Sequence, residues 1–74
     1  MRRLKLDAIY NQKDNGKWDC HIEEAPHICV IDASDLDTAR VLLEIITAEE
    51  VELWTRKRQH FEIVREEIRY YQNQ

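Results

Sequence analysis

Only two residues in this chain interrupt the backbone by their own chemistry, Gly16 and Pro26, and both lie in the first third of its 74 residues. Everything after Pro26 runs without a glycine or proline. The chain therefore divides into a turn-rich front and an unbroken back. Short strands joined by turns suit the first part, and a long helix suits the second.

The front reads as a hairpin. Leu4, Leu6, Ala8 and Tyr10 alternate with Lys5, Asp7, Ile9 and Asn11, and Trp18, Cys20 and Ile22 alternate with Lys17, Asp19, His21 and Glu23. This is the two-residue period of a half-buried strand. Asn15-Gly16 suggests a two-residue turn, but that loop would set Tyr10 against His21 and mix polar with apolar on each face. A three-residue loop, Asp14 to Gly16, sets Tyr10 against Cys20 and Ala8 against Ile22. All seven apolar residues then share one face, with Gly16 in the left-handed position of a bulge. Glu23-Glu24-Ala25-Pro26 is the next connection, since proline cannot occupy a central strand. A third strand follows at 28–32.

Ser34-Asp35-Leu36-Asp37 opens a helix, with Ser34 at the N-cap and Asp37 three residues on. Leu36, Ala39, Leu42 or Leu43, and Ile46 follow at helical spacing, giving a helix over 35–55; Thr47 and Glu50 match a second capping box and mark a possible break. In the tail, Phe61, Val64, Ile68 and Tyr71 step by three, four and three, which favours helix; alternation over the same residues fails at Glu66. The expected fold is α+β, one domain over 1–74: a three-stranded antiparallel meander covered by one helix (β-β-β-α), with a C-terminal helix or a fourth strand.

A single domain of this size has a small core. Two cysteines without a secretion signal point to a reducing compartment, two buried thiols and a cytoplasmic protein, and no apolar run is long enough to span a bilayer. The formal charge of −4 argues against nucleic acid as the main partner, and Arg56-Lys57-Arg58 is read as a solvated face. Cys20-His21 and His27-Ile28-Cys29 lack a standard zinc spacing, and alternation puts Cys20 and His21 on opposite faces. Asp7, Asp19, His21, Glu23 and Glu24 are ordinary for the wet side of a sheet. With no phosphate-binding glycine loop and no hydrolase or metalloprotease motif, the chain is expected to be no enzyme and to carry no cofactor or metal.

Ala8-Ile9-Tyr10, Lys13-Asp14-Asn15-Gly16-Lys17-Trp18, Glu24-Ala25-Pro26 and Ser34-Asp35-Leu36-Asp37-Thr38-Ala39 together resemble the HicB-like antitoxin family over roughly residues 4 to 54. His27 stands where the family usually has glycine, the Pro26-to-Leu36 interval is one residue longer, and the chain has no room for the DNA-binding domain many members carry. The resemblance implies a β-β-β-α(-β) fold, residues 60–70 supplying the last strand. It also implies a non-enzymatic module of a toxin-antitoxin system that binds a small basic RNA-cleaving toxin, whose charge an acidic antitoxin complements. The alternative is a homo-oligomeric accessory protein with no toxin.

A helix of about 25 residues from Thr47 to Tyr71 would be roughly 37 Å long, more than a small sheet can cover. Its distal half must meet another surface, fold back, or become a strand on the sheet edge. A homodimer is therefore expected, with Trp54, Phe61, Val64, Ile68 and Tyr71 as the protein interface.

Overall fold

The computed structural model describes residues 3–55 and 60–72. The order is β1 (Leu4–Gln12), β2 (Trp18–Ile22), β3 (Ala25–Ala33), α1 (Leu36–Thr55) and β4 (Phe61–Arg69). The strands form one mixed sheet in the order β3-β2-β1-β4. The antiparallel meander is present, but the sheet has four strands, and β4 runs parallel to β1. The fold is thus α+β, with β1 and β2 in the centre.

The β1–β2 register is the one the apolar alternation requires: Ala8 faces Ile22, Tyr10 faces Cys20 and Gln12 faces Trp18. Gly16 donates its backbone N–H to the Lys13 carbonyl at 3.0 Å, and Lys13 donates to Lys17 at 2.8 Å. The loop is therefore a tight turn followed by Gly16 at φ 84°, a conformation that glycine adopts without a Cβ penalty. Leu6, Ala8, Tyr10, Trp18, Cys20 and Ile22 are all buried in one core.

Strand β3 is longer than the expected 28–32, and it contains Pro26. The two-residue connection Glu23-Glu24 brings Ala25 opposite Ile22, so the proline falls on an edge strand, where its missing N–H costs no ladder bond. The buried residues of β3 are Ala25, Ile28, Val30 and Ala33, spaced three, two and three apart. Two register shifts against β2 explain this spacing. The second leaves Asp32 at φ 62°, with its N–H donated to Asp19 Oδ1 at 2.9 Å; aspartate is one of the few non-glycine residues that tolerate this region.

Asp35, not Ser34, caps α1. Its Oδ1 accepts the Thr38 N–H at 2.7 Å, and its carbonyl accepts the first helical bond from Ala39. The cap bond also holds the Asp35 carboxyl below the usual carboxylate range. The helix passes Thr47 without a break: Thr47 is buried, and its hydroxyl donates to the Leu43 carbonyl at 2.6 Å, so it is a helix-interior residue. Ala39, Leu43, Thr47 and Val51 form the buried stripe, and the helix lies chiefly over β3 and β2.

The tail is a strand, which overturns the helical reading of Phe61 to Tyr71. Alternation failed there because its phase changes. A bulge at Val64 separates Phe61 and Ile63 from Glu66 and Ile68, yet all four lie in the inner rows beside Leu4, Leu6, Ala8 and Tyr10 of β1. Glu66, the residue that broke the apolar row, is tolerated because Arg40 of α1 reaches across the sheet and donates Nε to Glu66 Oε2 at 2.8 Å.

Candidate protein-binding face

The buried stripe of α1 uses only part of its apolar surface. Val41, Leu42, Ile45 and Leu53 remain exposed, Leu53 at 71%. At 100° per residue, Leu42, Ile45 and Leu53 fall on one flank of the helix, away from Arg40 and Glu44, which lean toward β4. Glu49 and Glu52 lie on the same flank, and with Leu53 they line a shallow depression of about 350 Å³. The twenty residues of α1 carry one cation, Arg40, which is committed to Glu66 at 2.8 Å and lies 3.5 Å from Asp37. Among the described residues, the outer flank thus combines exposed branched side chains with carboxylates and offers no positive charge.

The five residues expected at an interface do not form one patch. Trp54 is exposed at the far end of α1, where its indole lies 5.1 Å from the His27 ring of β3, and His27 Nε2 is 3.8 Å from Glu50. Phe61 and Ile68 turn inward and pack on the core. Val64 stands exposed at the β4 bulge. Tyr71 is exposed just beyond β4, its backbone N–H bonded to Gln12 Oε1 at 3.2 Å. Trp54 is therefore near the β3 edge, and the other four belong to the opposite edge. The basic run 56–58 is outside the described residues.

A second concavity, about 340 Å³, separates α1 from β4 and is lined by Tyr10, Arg40, Glu44, Phe61, Ile63 and Glu66 among others. The Arg40 guanidinium sits 5.9 Å from the Tyr10 ring centre. Burial, with Glu66 close by, pushes the Tyr10 phenol up to about 12, so it stays protonated. This groove holds a closed set of structural contacts, with the cation and the inner carboxylate paired to each other.

The other polar residues noted in the sequence are spread out. Glu24 Oε1 accepts the Asp7 N–H at 2.9 Å, and Lys13 bridges Asp19 and Asp32 on the outer sheet face. Lys13 and Asp32 favour each other's charged forms through this contact. Among the described residues, no group of three or more His, Cys, Asp or Glu side chains gathers as a metal site would need. Cys20 is buried, its thiol donating to the Ala39 carbonyl at 3.7 Å; burial raises it to about 11, the opposite of an activated nucleophile. Cys29 was expected to be buried but is exposed, because the β3 register turns it to the outer face opposite His21. No described helix is long and apolar enough to cross a membrane.

Sequence reasoning overlooked the flank of α1, although a signal was present. Val41, Leu42, Leu43, Ile45 and Ile46 span far more of the helix circumference than one buried stripe can use. In comparisons with known proteins, the chain matches no family model, no curated protein and no solved structure.

Proposed function

We propose that this chain is a small non-enzymatic protein-binding module, of the antitoxin-like kind that its sequence resembles, and that the outer flank of α1 is its docking face. The observation that carries the reading is Leu42, Ile45 and Leu53 standing exposed among Glu49 and Glu52, with Arg40, the one cation among the described residues of α1, paired to Glu66. Exposed apolar groups ringed by charge of one sign suit a partner with apolar anchors and basic flanks. A small basic RNA-cleaving toxin has that chemistry. The carboxylates would steer its approach, and the apolar side chains would hold it.

The test is co-expression with a small basic protein encoded beside the gene. The expected result is a stable complex that relieves growth arrest caused by that neighbour. Ile45→Asp and Leu53→Asp should each abolish the complex while leaving the circular dichroism spectrum native, and Lys17→Ala in the hairpin turn should leave it intact. Absence of such a neighbour, or a complex indifferent to both helix substitutions, would refute the proposal. A second reading, a homo-oligomeric accessory protein without a toxin, draws on the unpaired edge of β4.

A further inference from the structure

The sheet has two edges, and they are not alike. The β3 edge is blunted by Pro26 and by two register shifts, devices that discourage another strand from adding to it. The β4 edge has one bulge, at Val64, and runs regularly from there. Its outer-face row reads Arg65, Glu67, Arg69, and its inner row reads Glu66, Ile68, continuing toward Tyr70, which stands edge-on to Trp18 at 5.4 Å. Tyr70 and Tyr71 are left 63% and 50% exposed at the end of this edge. Beyond that bulge the edge carries charges of both signs and ends in two uncovered tyrosines; its charges would repel an arbitrary strand but can be matched by an inverted copy of the same row.

We propose that this edge pairs with the same edge of a second copy, antiparallel about a two-fold axis at Ile68, extending β4 to Tyr71 and joining the two sheets into one. The register follows from charge. In such a ladder each residue faces the one equally distant beyond the axis, on the same face of the sheet. Centring on Ile68 sets Glu67 against Arg69 of the second copy, Glu66 against Tyr70 and Arg65 against Tyr71, each twice. These are ion-pair, carboxylate–phenol and cation–aromatic contacts. The registers centred on Glu66, Glu67 and Arg69 oppose like charges, and one centred on Tyr70 forgoes the Glu67–Arg69 ion pairs. Centring on Glu66 or Glu67 brings a glutamate against itself, and the Glu67 choice also sets Arg65 against Arg69. Centring on Arg69 brings two guanidinium groups together. Within one chain Glu67 already draws in Arg65, at 3.4 Å, and Arg69, so the alternating row is held ready for its inverted copy. The interface lies at the opposite edge of the sheet from β3, over which α1 lies, so it leaves the flank of α1 free.

Sedimentation velocity of the full chain at micromolar concentration tests the proposal. The wild type should sediment at twice 9.0 kDa. Glu67→Arg alone and Arg69→Glu alone each place like charges opposite one another twice, and each should weaken the dimer by roughly tenfold or more. Mixed together, the two variants regain both ion pairs and should form a heterodimer. Tyr71→Arg is a further variant at an exposed position that faces Arg65 of the second copy, and it should weaken the dimer with the fold untouched. A wild type that stays at 9.0 kDa overturns the proposal. So do single charge reversals that dimerise as well as wild type, or a mixture of natively folded variants that remains monomeric.

Discussion

Leu43 and Val41 are two residues apart on α1, and the structure assigns them opposite fates. Leu43 is completely buried against the sheet, whereas Val41 is 57% exposed on the outer surface. Leu43→Ala removes three carbons from a core site where α1 lies over β2 and β3, which can collapse only partly around the gap. The expected cost is about 3 kcal/mol. A domain of this length holds roughly 4–11 kcal/mol in all, so the loss is a large fraction of its stability. It corresponds to a fall in Tm of roughly 12–24 °C. Val41→Ala removes two carbons that are mostly in water already, and alanine's better helix propensity returns about 0.6 kcal/mol, so the net change should be close to zero. Urea unfolding of both variants, followed by circular dichroism at one fixed protein concentration, measures the difference. Equal costs at the two positions, or a larger cost at Val41, would mean that α1 is rotated about its axis, and the exposed flank would not exist.

Gly16→Ala meets no atom within 4 Å of the new Cβ, so its cost is conformational alone, about 1 kcal/mol from the left-handed φ; a neutral result in the same urea titration would contradict the turn geometry. The two thiols should differ in reactivity, Cys29 reacting at once with a thiol reagent in the folded protein and Cys20 only on unfolding; equal fast rates would place Cys20 outside the core. Burial raises the Cys20 thiol to about 11 from the roughly 8.5 of an unfolded cysteine, so the folded state holds that proton more tightly. Its contribution to stability is complete below the unfolded value and disappears as pH climbs through the folded one. Unfolding midpoints should therefore fall between about pH 8.5 and 11, less steeply in Cys20→Ala, and a flat wild-type profile over that window would refute the linkage.

The parts of the fold that could be read from the sequence are those where one period holds without interruption. The β1–β2 hairpin is such a case: its faces alternate cleanly from Leu4 to Tyr10 and from Trp18 to Ile22, and one register satisfies them. The parts that resisted are those where a bulge resets the phase. In β3 the inward residues come at steps of three, two and three, which resembles neither a strand nor a helix. In β4 the bulge at Val64 let Phe61, Val64, Ile68 and Tyr71 imitate a helical stripe. The partner that makes Glu66 acceptable in the inner row, Arg40, lies on another element twenty-six positions away, beyond the reach of any local window. The candidate face was hidden for a related reason. Leu42 and Leu43 look interchangeable by spacing, and only the placement of α1 over β2 and β3 decides which one meets water.

The parallel pairing of β1 with β4 also governs the order in which the chain can become a protein. Leu4 meets Phe61 and Tyr10 meets Ile68, so β1 finds one of its two neighbours only after the meander and the whole helix have been made. Closing that long loop is paid before the contact returns anything, which slows the final step relative to the local hairpin. Until it happens, β1 has the hairpin on one side and an open edge on the other, and Leu4 and Leu6 lack their neighbours Phe61 and Ile63. A nascent chain halted before Phe61 is thus a strand acceptor that any extended peptide could occupy, and the segment from Phe61 to Arg69 acts in the finished molecule as the chain's own built-in occupant of that slot.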